Sequence, residues 1–579
     1  MQFTITPTYT DLFHEPCPDP QSFIKEYNSK DILFYLSMIN SELYLKDEES
    51  VELQKDLMIK CLKYWPPDIK QEMFLIMSNF LTAKKTKPNF FKSVYITYFI
   101  HNELLNFKSN GTLEFNAYGE YKVLKAYFAY LSKYSDEAIG IIPEPTEADN
   151  DNLKFQRHLW PYLLKQFDFN EKVDPLYQSI CSGTLLDYFY LEPKYNTYVE
   201  NYLNHYKRKS VWQLVFDLLA LVEVSFQRIG DHDVQAFVIM ESEGFSDILD
   251  NLSINIENYS KDKKLHEDFL GMRQKPLFKN DDAFYVVLSW KFLYKSIYLG
   301  VLFDFHKRSG ISKVHDFPSY KSVVGFDVME KKMFEKIFNY AMALQRSSLH
   351  FSKDDENSTP DCYLRIGKYL FLIEFKDYLI NTNAISSGDF DKFKDHLDTK
   401  FVQNENGKSK GISQIYNQLE IINKGGFSFD DFEKQGIKKR NLIIYPVIIT
   451  TSYQHQIPGV NSYLSELLTK RIDSNAEIIF NVQPLTMIDF TFLYRNFNRI
   501  RKKELDLLKL VQRYQSHTKN YQKQFRKSKH LVHGYKAHAA FETSLPSNLT
   551  TRHPAQKEKG FTQALFDALQ IVPELTTIK

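Results

Sequence analysis

Cysteine is scarce in this chain of 579 residues. The four cysteines are Cys17, Cys61, Cys181 and Cys362. No two of them are close enough in sequence to form a metal-ligand pair, which argues against a zinc ribbon or a zinc finger. Few and scattered thiols are typical of a reducing compartment, so we expect a cytoplasmic protein.

Long apolar runs are also lacking. The first residues, MQFTITPTYTDLF, contain no basic region followed by an apolar run, so we expect no signal peptide. The stretch that most resembles a membrane span, residues 283–305, contains Lys291, Lys295 and Asp304. These charges favour a buried helix there and predict that the protein has no membrane partner.

A large net charge is absent as well, since 73 basic and 72 acidic residues leave +1. The balance is not uniform along the chain. Residues 499–536 contain twelve Lys or Arg and two acidic residues, a net charge of +10, so the remaining residues together carry −9. The neutral average therefore does not exclude nucleic acid as a partner, because a basic segment can neutralise backbone phosphates.

The hydrophobic pattern divides the chain into three regions and predicts a multidomain α+β protein. Residues 1–320 have apolar residues mostly at helical spacing, with a loop or subdomain boundary near 143–151. Residues 321–498 mix a helix at 327–346 with short strand-like runs, which indicates an α/β module. Residues 499–579 are predicted to form a basic helical segment.

The most informative stretch is PDCYLRIGKYLFLIEFK, residues 360–376. Gly367-Lys368 suits a two-residue hairpin turn with glycine at its first central position. If these two residues form the turn, Ile366 pairs with Tyr369 and Asp361 lies directly opposite Glu374. Further strands are predicted at residues 348–352, 441–450 and 477–482, a helix at 411–423, and a long polar loop at 377–410.

Strand alternation assigns the hairpin residues to two faces. Every second residue from Cys362 is apolar or aromatic, so that face is predicted to be buried. The other face carries Asp361, Glu374 and Lys376, with the two carboxylates about 4.5–5.5 Å apart at their Cβ atoms. Like charges directly opposite each other are destabilising, and a bound Mg²⁺ or Mn²⁺ would remove that penalty. Such an ion can activate water and stabilise charge on a phosphodiester, and Lys376 could orient the nucleophile.

The alternative is an ordinary surface ladder in which lysine and arginine balance the two carboxylates. Three features coincide, however: Pro-Asp at the start of one strand, Glu-x-Lys on its partner, and the apolar run that leads into Glu374. This combination resembles the active-site hairpin of the PD-(D/E)XK nuclease superfamily, over about residues 325–490. The resemblance implies a restriction-endonuclease-like core, a mixed sheet flanked by helices, that uses Mg²⁺ or Mn²⁺.

The same resemblance suggests further site residues. Members often carry a glutamate on the first core helix that points into the metal site, and Glu335 occupies a similar position, although it could equally be a solvated charge. Some members have a glutamine on the helix after the Glu-x-Lys strand, for which Gln414 and Gln418 are candidates. Gln418 stands where the RecB-like branch has tyrosine, so kinship with that branch is in doubt.

The basic segment supplies the candidate nucleic-acid contacts. These are Arg501, Lys502, Lys503, Arg513, Lys519, Lys523, Arg526, Lys527 and Lys529. Interleaved aromatics, including Tyr514 and Phe525, could stack on unpaired bases. The alternative is an exposed helix that packs on an acidic protein surface.

These observations favour a Mg²⁺-dependent DNA endonuclease, since DNA is the commonest substrate of the family. By analogy it would belong to a bacterial defence system against phage or mobile DNA, with the helical first half used for recognition, self-association or a regulatory partner. Two alternatives stay open. One is a catalytically silent nucleic-acid-binding protein on a nuclease-like fold, and the other is a helical protein-interaction protein with an ordinary hairpin.

Overall fold

A computed structural model describes residues 6–46, 48–84, 89–140, 150–226, 228–229, 234–235, 237–242, 244–280, 284–353, 359–380, 384–385, 387–528, 530–546 and 549. The chain forms two compact units, one made of Met1–Ile141 and Tyr202–Phe305, the other of Ile142–Asn201 and His306–Lys579. Among the described residues no helix is long and apolar enough to cross a membrane.

The first unit is mainly helical, as its sequence predicts. Its helices are Tyr9–Phe13, Gln21–Ile24, Ser29–Leu45, Val51–Leu62, Pro67–Lys84, Ser93–Leu105, Ala117–Gly140, Val211–Glu223, Ser246–Leu252, Ile256–Lys261, Leu270–Gln274, Trp290–Lys295 and the π-helical Ser296–Gly300. The helices Asn196–His205 and Val301–Arg308 contain two of the points where the chain passes from one unit to the other.

Small β-structures occur in this unit as well. Arg228–Ile229 pairs with Val234–Gln235, and Phe284–Val287 lies between Val238–Met240 and Leu277–Lys279 in an antiparallel sheet. The expected helix over residues 283–305 therefore begins only at Trp290. The reason is that aromatic and β-branched residues, such as those at 284–287, favour a strand when neighbouring strands are there to pair with.

The second unit is built on a six-stranded mixed sheet. In chain order its strands are β1 (Ser348–Phe351), β2 (Cys362–Ile366), β3 (Tyr369–Lys376), β4 (Ile443–Thr450), β5 (Asn481–Val482) and β6 (Thr486–Asp489). The spatial order is β5-β4-β3-β2-β1, and β6 also pairs with β4. The pairs β1–β2 and β2–β3 are antiparallel, whereas β3, β5 and β6 all run parallel to β4. This confirms the α+β class.

Helices flank both faces of this sheet. In chain order they are α1 (Asp151–Leu164), α2 (Pro175–Leu191), α3 (Phe317–Val323), α4 (Glu335–Met342), α5 (Phe390–Phe401), α6 (Gly411–Lys424), α7 (Val460–Asp473), α8 (Phe490–Arg501), α9 (Leu507–Ser528) and α10 (Leu531–Ala537). A π-helical stretch, Val324–Phe334, joins α3 to α4 without a break.

Both faces of the β2–β3 hairpin are buried, although only one was predicted to be. On the predicted face, Phe375 stacks on Phe334 with ring centroids 4.8 Å apart. On the other face, Leu372 packs in one hydrophobic cluster with Leu419 and Ile422 of α6. Alternation within a strand identifies the two faces, but it does not show that a later helix covers the second one.

The two units divide the chain differently from the predicted boundary at residue 320. Helix α1 belongs to the second unit because Trp160 is buried there, with its ring 5.3 Å from Phe390 and 5.2 Å from Phe393. Both phenylalanines lie on α5, within the stretch expected to be a polar loop. Phe390, Phe393, Leu397 and Phe401 are the buried side chains of this helix and recur at amphipathic spacing.

Candidate active site

The β2–β3 hairpin has the predicted register. Ile366 pairs with Tyr369 and Cys362 with Ile373, and the same register places Asp361 across from Glu374. Gly367 has φ +58°, a conformation that a turn residue with a Cβ atom rarely adopts. The turn therefore fixes the pairing that brings the two acidic residues to one end of the hairpin.

Asp361, Glu374 and Lys376 converge at that end. The Lys376 ammonium donates to Glu374 Oε2 at 2.7 Å and to Asp361 Oδ2 at 3.0 Å. Asp361 Oδ2 also accepts the backbone N–H of Phe375 at 2.7 Å, which ties the start of β2 to the end of β3. Three of the predicted catalytic residues thus form one hydrogen-bonded cluster.

This cluster is largely enclosed. The side chain of Glu374 is 0% exposed, that of Lys376 8% and that of Asp361 15%. Solvent therefore reaches the cluster mainly at Asp361, and Glu374 is its innermost member.

Of the two candidate glutamines on α6, Gln418 contacts the cluster. Its side-chain Nε2 donates to Glu374 Oε1 at 2.5 Å, while its Oε1 is buried and has no hydrogen-bond partner among the described residues. Gln414 lies one turn earlier and accepts the backbone N–H of Gly411 at 2.9 Å. Gln414 thus bonds the start of its own helix, whereas Gln418 holds Glu374.

The glutamate that the helix before β1 directs toward the cluster is Glu330 rather than Glu335. Burial and the charge of Asp361 raise the pKa of Glu330 to about 9, and Lys376 and Lys331 partly offset this. Glu335 accepts from Lys331 Nζ at 2.7 Å and lines a separate shallow pocket. A sequence signal was available: Glu330 lies four residues before the buried Phe334, on the apolar face of its helix. Its π-helical turn is of the kind that often occurs at functional sites.

The cluster holds more acid than base. Burial, and then the charge of Asp361, raises the pKa of Glu374 to about 7. Burial alone would lower the pKa of Lys376, but Asp361 and Glu374 hold it well above its ordinary value. Two carboxyl groups therefore pair with one ammonium group, and a third, that of Glu330, lies near them with a raised pKa. Perturbed pKa values of this kind mark candidate functional sites.

A further lysine lies beside this cluster, at the start of α6. Burial lowers the pKa of Lys410, and so do the charges of Lys376, Lys408 and Lys400. The next residue, Gly411, has φ +39°, and a Cβ atom there would come within 2.8 Å of the Phe401 carbonyl oxygen. Only glycine permits this close approach. It fixes the start of α6 at the end of the sheet where Asp361 and Glu374 lie.

The basic segment lies elsewhere on the second unit. Gln512 of α9 donates to the Tyr445 hydroxyl at 2.9 Å, and the Tyr445 ring stacks on Phe371 at 5.1 Å. Because side chains alternate along β3, Phe371 lies on the face of the sheet opposite Glu374. Helix α9 therefore packs on the face that does not carry the carboxylates.

Most of the predicted nucleic-acid contacts are exposed there. Lys502, Lys503, Arg513, Lys519, Lys523, Arg526 and Lys527 are exposed, and Lys529 lies outside the described residues. Arg501 is half-buried, with its guanidinium 3.8 Å from the centre of the Tyr340 ring. Tyr514 and Phe525 are buried in the protein, so they do not offer their rings to bases as expected. Together with Leu507, Leu510 and Val511 they are the buried side chains that anchor α9.

No group of three or more His, Cys, Asp or Glu side chains in the described part of the chain is arranged to hold a metal ion. The donors that would fit one are the paired carboxylates of Asp361 and Glu374. Mg²⁺ is commonly held by one or two carboxylates and keeps several waters, so this pair suits it or Mn²⁺. The raised pKa of Glu374 fits the same idea, because a cation would relieve the repulsion between the two carboxylates.

Comparison of the chain with protein-family models, with curated proteins and with solved structures finds no match.

Proposed function

We propose that this chain is a divalent-metal-dependent nuclease of the PD-(D/E)XK type. The observation that carries the proposal is that Asp361, Glu374 and Lys376 meet within hydrogen-bond distance at one end of the β2–β3 hairpin. DNA is favoured over RNA as the substrate because the family it resembles acts mostly on DNA.

Each side chain would have a separate role. Asp361 and Glu374 would hold Mg²⁺ or Mn²⁺, which when bound supplies Lewis-acid stabilisation of charge developing on a phosphate. Gln418 would keep the Glu374 carboxylate in place through the 2.5 Å hydrogen bond. Lys376, once released from its two ion pairs, has an ammonium group to donate to the substrate phosphate or the attacking water. Glu330 would adjust the charge of the cluster from the helix behind it.

The wider role is proposed by analogy. As a nuclease of bacterial defence against phage or mobile DNA, the protein would use its first unit for recognition, self-association or a regulatory partner.

A second candidate is a catalytically silent protein on the same fold that binds nucleic acid or another protein. The observation that favours it is the enclosure of the cluster. Lys376 already neutralises part of the acidic charge, and Glu374 has no exposed surface. In that case the ion pairs would only join β2 to β3.

Cleavage and metal titration together separate the two candidates. Wild-type protein is expected to cut plasmid or linear DNA with Mg²⁺ or Mn²⁺. Glu374→Ala and Lys376→Ala should lower the rate at least about a hundredfold, because each removes a charge from the reacting site. Glu433→Ala, which removes an exposed acid far from the hairpin in sequence, is the matched control and should keep full activity.

Calorimetric titration with Mn²⁺ measures metal binding even if the protein needs an activator before it cuts. Wild type should bind the ion, and Glu374→Ala should not. If wild type neither cleaves any nucleic acid tried nor binds metal, the proposed nuclease activity is refuted.

A further inference from the structure

A large polar groove opens between α7 and α9 of the second unit. Its volume is about 1090 Å³. This is slightly larger than the pockets that hold drug-sized ligands, which run to about 1,000 Å³. The groove is therefore large enough for a chain-like ligand rather than a single small molecule.

Four cations line this groove from two sides. Lys519, Lys523 and Arg526 follow each other at spacings of four and three residues on α9, so they lie along one face of that helix. Lys470 lies opposite them, on α7. All four are exposed, and within the described ranges none forms an ion pair with an acidic side chain. An unpaired row of cations of this kind attracts successive phosphates.

Carboxamides and hydroxyls form most of the remaining lining. Seven of these residues are carboxamides. Six of them, Asn150, Asn152, Asn461, Gln483, Gln512 and Gln515, already donate to other groups of the protein. Gln522 is half-buried and makes no hydrogen bond to another side chain or backbone group that the structure describes. Amide side chains can read base edges by paired donor and acceptor groups.

A buried histidine also contributes to the lining. His538 is 2% exposed, and its Nδ1 lies 2.7 Å from the Ser462 hydroxyl oxygen. Its Nε2 has no hydrogen-bond partner among the residues described. A buried polar atom without a partner is costly, so one that borders a groove indicates a place for a ligand group or a water.

Two acidic side chains, Asp151 and Glu466, also border the groove. Glu466 accepts from the side-chain amides of Asn150 and Asn152. The four cations outnumber these acids, so the lining keeps a net positive charge. A carboxylate beside amides is also an acceptor suited to the amino group of a base.

We propose that this groove binds a single-stranded nucleic acid, with Lys470, Lys519, Lys523 and Arg526 on its phosphates and the Gln522 carboxamide on a base edge. A single strand fits because only unpaired bases can turn their edges into a groove between two helices. The choice of nucleic acid rests on the proposed function. None of the described residues that line the groove belongs to the carboxylate cluster, so the groove is a binding site of its own.

Fluorescence anisotropy with labelled 12-nucleotide DNA and RNA, in EDTA so that nothing is cut, tests this proposal in the full chain. The triple variant Lys519→Ala/Lys523→Ala/Arg526→Ala is expected to weaken binding at least tenfold at 100 mM salt. Loss of three phosphate contacts should also flatten the slope of log affinity against log salt by about 2. The DNA and RNA arms show which sugar the groove prefers.

The matched control removes three lysines that each pair with an acid three residues earlier, Lys392→Ala/Lys434→Ala/Lys509→Ala. It should change affinity less than threefold. Thr469→Trp narrows the groove without altering charge and should weaken binding at least fivefold, since Thr469 is an exposed lining residue.

Equal losses in the two triple variants, full binding by Thr469→Trp, or tighter binding of the same sequence as a duplex would each overturn the proposal. The outcome is independent of cleavage. A protein that neither cuts nor binds Mn²⁺, but binds single strands in the groove, would support this inference and refute the proposed function.

Discussion

Two buried polar clusters lie on the same face of the β2–β3 hairpin, one at each end. Near the turn, Arg365 donates to Asp430 from Nε at 2.5 Å and from Nη2 at 2.7 Å. Tyr363 donates to the same carboxylate at 2.7 Å. One positive and one negative charge meet there, with the hydrogen bonds of both largely satisfied.

At the other end acidic groups outnumber the ammonium group that pairs with them. Lys376 pairs with both Asp361 and Glu374, and burial together with the charge of Asp361 raises the pKa values of Glu374 and of the nearby Glu330. A contact that only stabilised the fold would be expected to pair equal and opposite charges, as Arg365 and Asp430 do near the turn. The difference indicates that the cluster around Glu374 is kept for chemistry, and variants at the two ends of the hairpin test that contrast.

The largest effect is expected at the balanced end. Arg365→Met removes the cation but leaves Asp430 buried, which should lower the free energy of unfolding by about 3–5 kcal/mol. Urea denaturation measures the change. Cleavage per folded molecule should stay the same, because this pair lies away from the carboxylates.

Two further variants control this result. Lys368→Met removes an exposed charge from the same hairpin and should cost less than about 0.5 kcal/mol. Arg365→Met/Asp430→Leu removes both charges and should recover most of the loss. If the double variant is no more stable than the single one, the pair is not the structural brace described above.

A smaller effect is expected from the glutamine that holds Glu374. Gln418→Leu should lower Mn²⁺ affinity and cleavage by about 10–100-fold, the usual cost of losing a partner that orients a metal ligand. Gln414→Leu, four residues earlier on the same helix, should change either quantity less than threefold. Calorimetry and the cleavage assay measure the two effects. Equal losses would mean that the contact between Gln418 and Glu374 has no special role.

Local signals were enough to predict the hairpin and its paired carboxylates. Strand alternation and a Gly-Lys turn fix the register, so Asp361, Glu374 and Lys376 could be placed together before any tertiary contact was known. The same reasoning could not show which glutamine, Gln414 or Gln418, contacts the carboxylates. Both lie on one helix face, and only packing determines which one reaches β3.

Long-range packing accounts for what the sequence did not reveal. Nothing near residue 160 predicts that Trp160 packs against Phe390 and Phe393, so the unit boundary could not be placed. The enclosure of the carboxylates has a similar origin, since it depends on α6. Glu330 is a different case: its position on an apolar helix face was visible, but a solvent-facing glutamate nearby matched the expected motif position more closely.

The smallest effect concerns Glu330. It tests most directly the excess of acidic groups in the cluster around Glu374. Its pKa is raised from 4.5 to about 9 in the folded protein, so between these values the folded state binds more protons than the unfolded state. The contribution of Glu330 to the free energy of unfolding therefore falls as the pH rises from 4.5 to about 9. Glu330→Gln removes the cost of ionising this buried carboxyl group. The variant should therefore raise the free energy of unfolding, and by at least about 1 kcal/mol more at pH 8.5 than at pH 5.5.

Glu335→Gln is the matched control, because Glu335 lies on the same continuous helix and pairs with Lys331 at its surface. Its effect on unfolding free energy should stay within about 0.5 kcal/mol at both pH values, as for other partly exposed pairs. Thermal or urea unfolding at the two pH values measures both variants. If the unfolding free energies of Glu330→Gln and wild type change with pH in the same way, the charges of the acidic cluster are as well neutralised as those of Arg365 and Asp430. The contrast between the two ends of the hairpin would then lose its functional meaning.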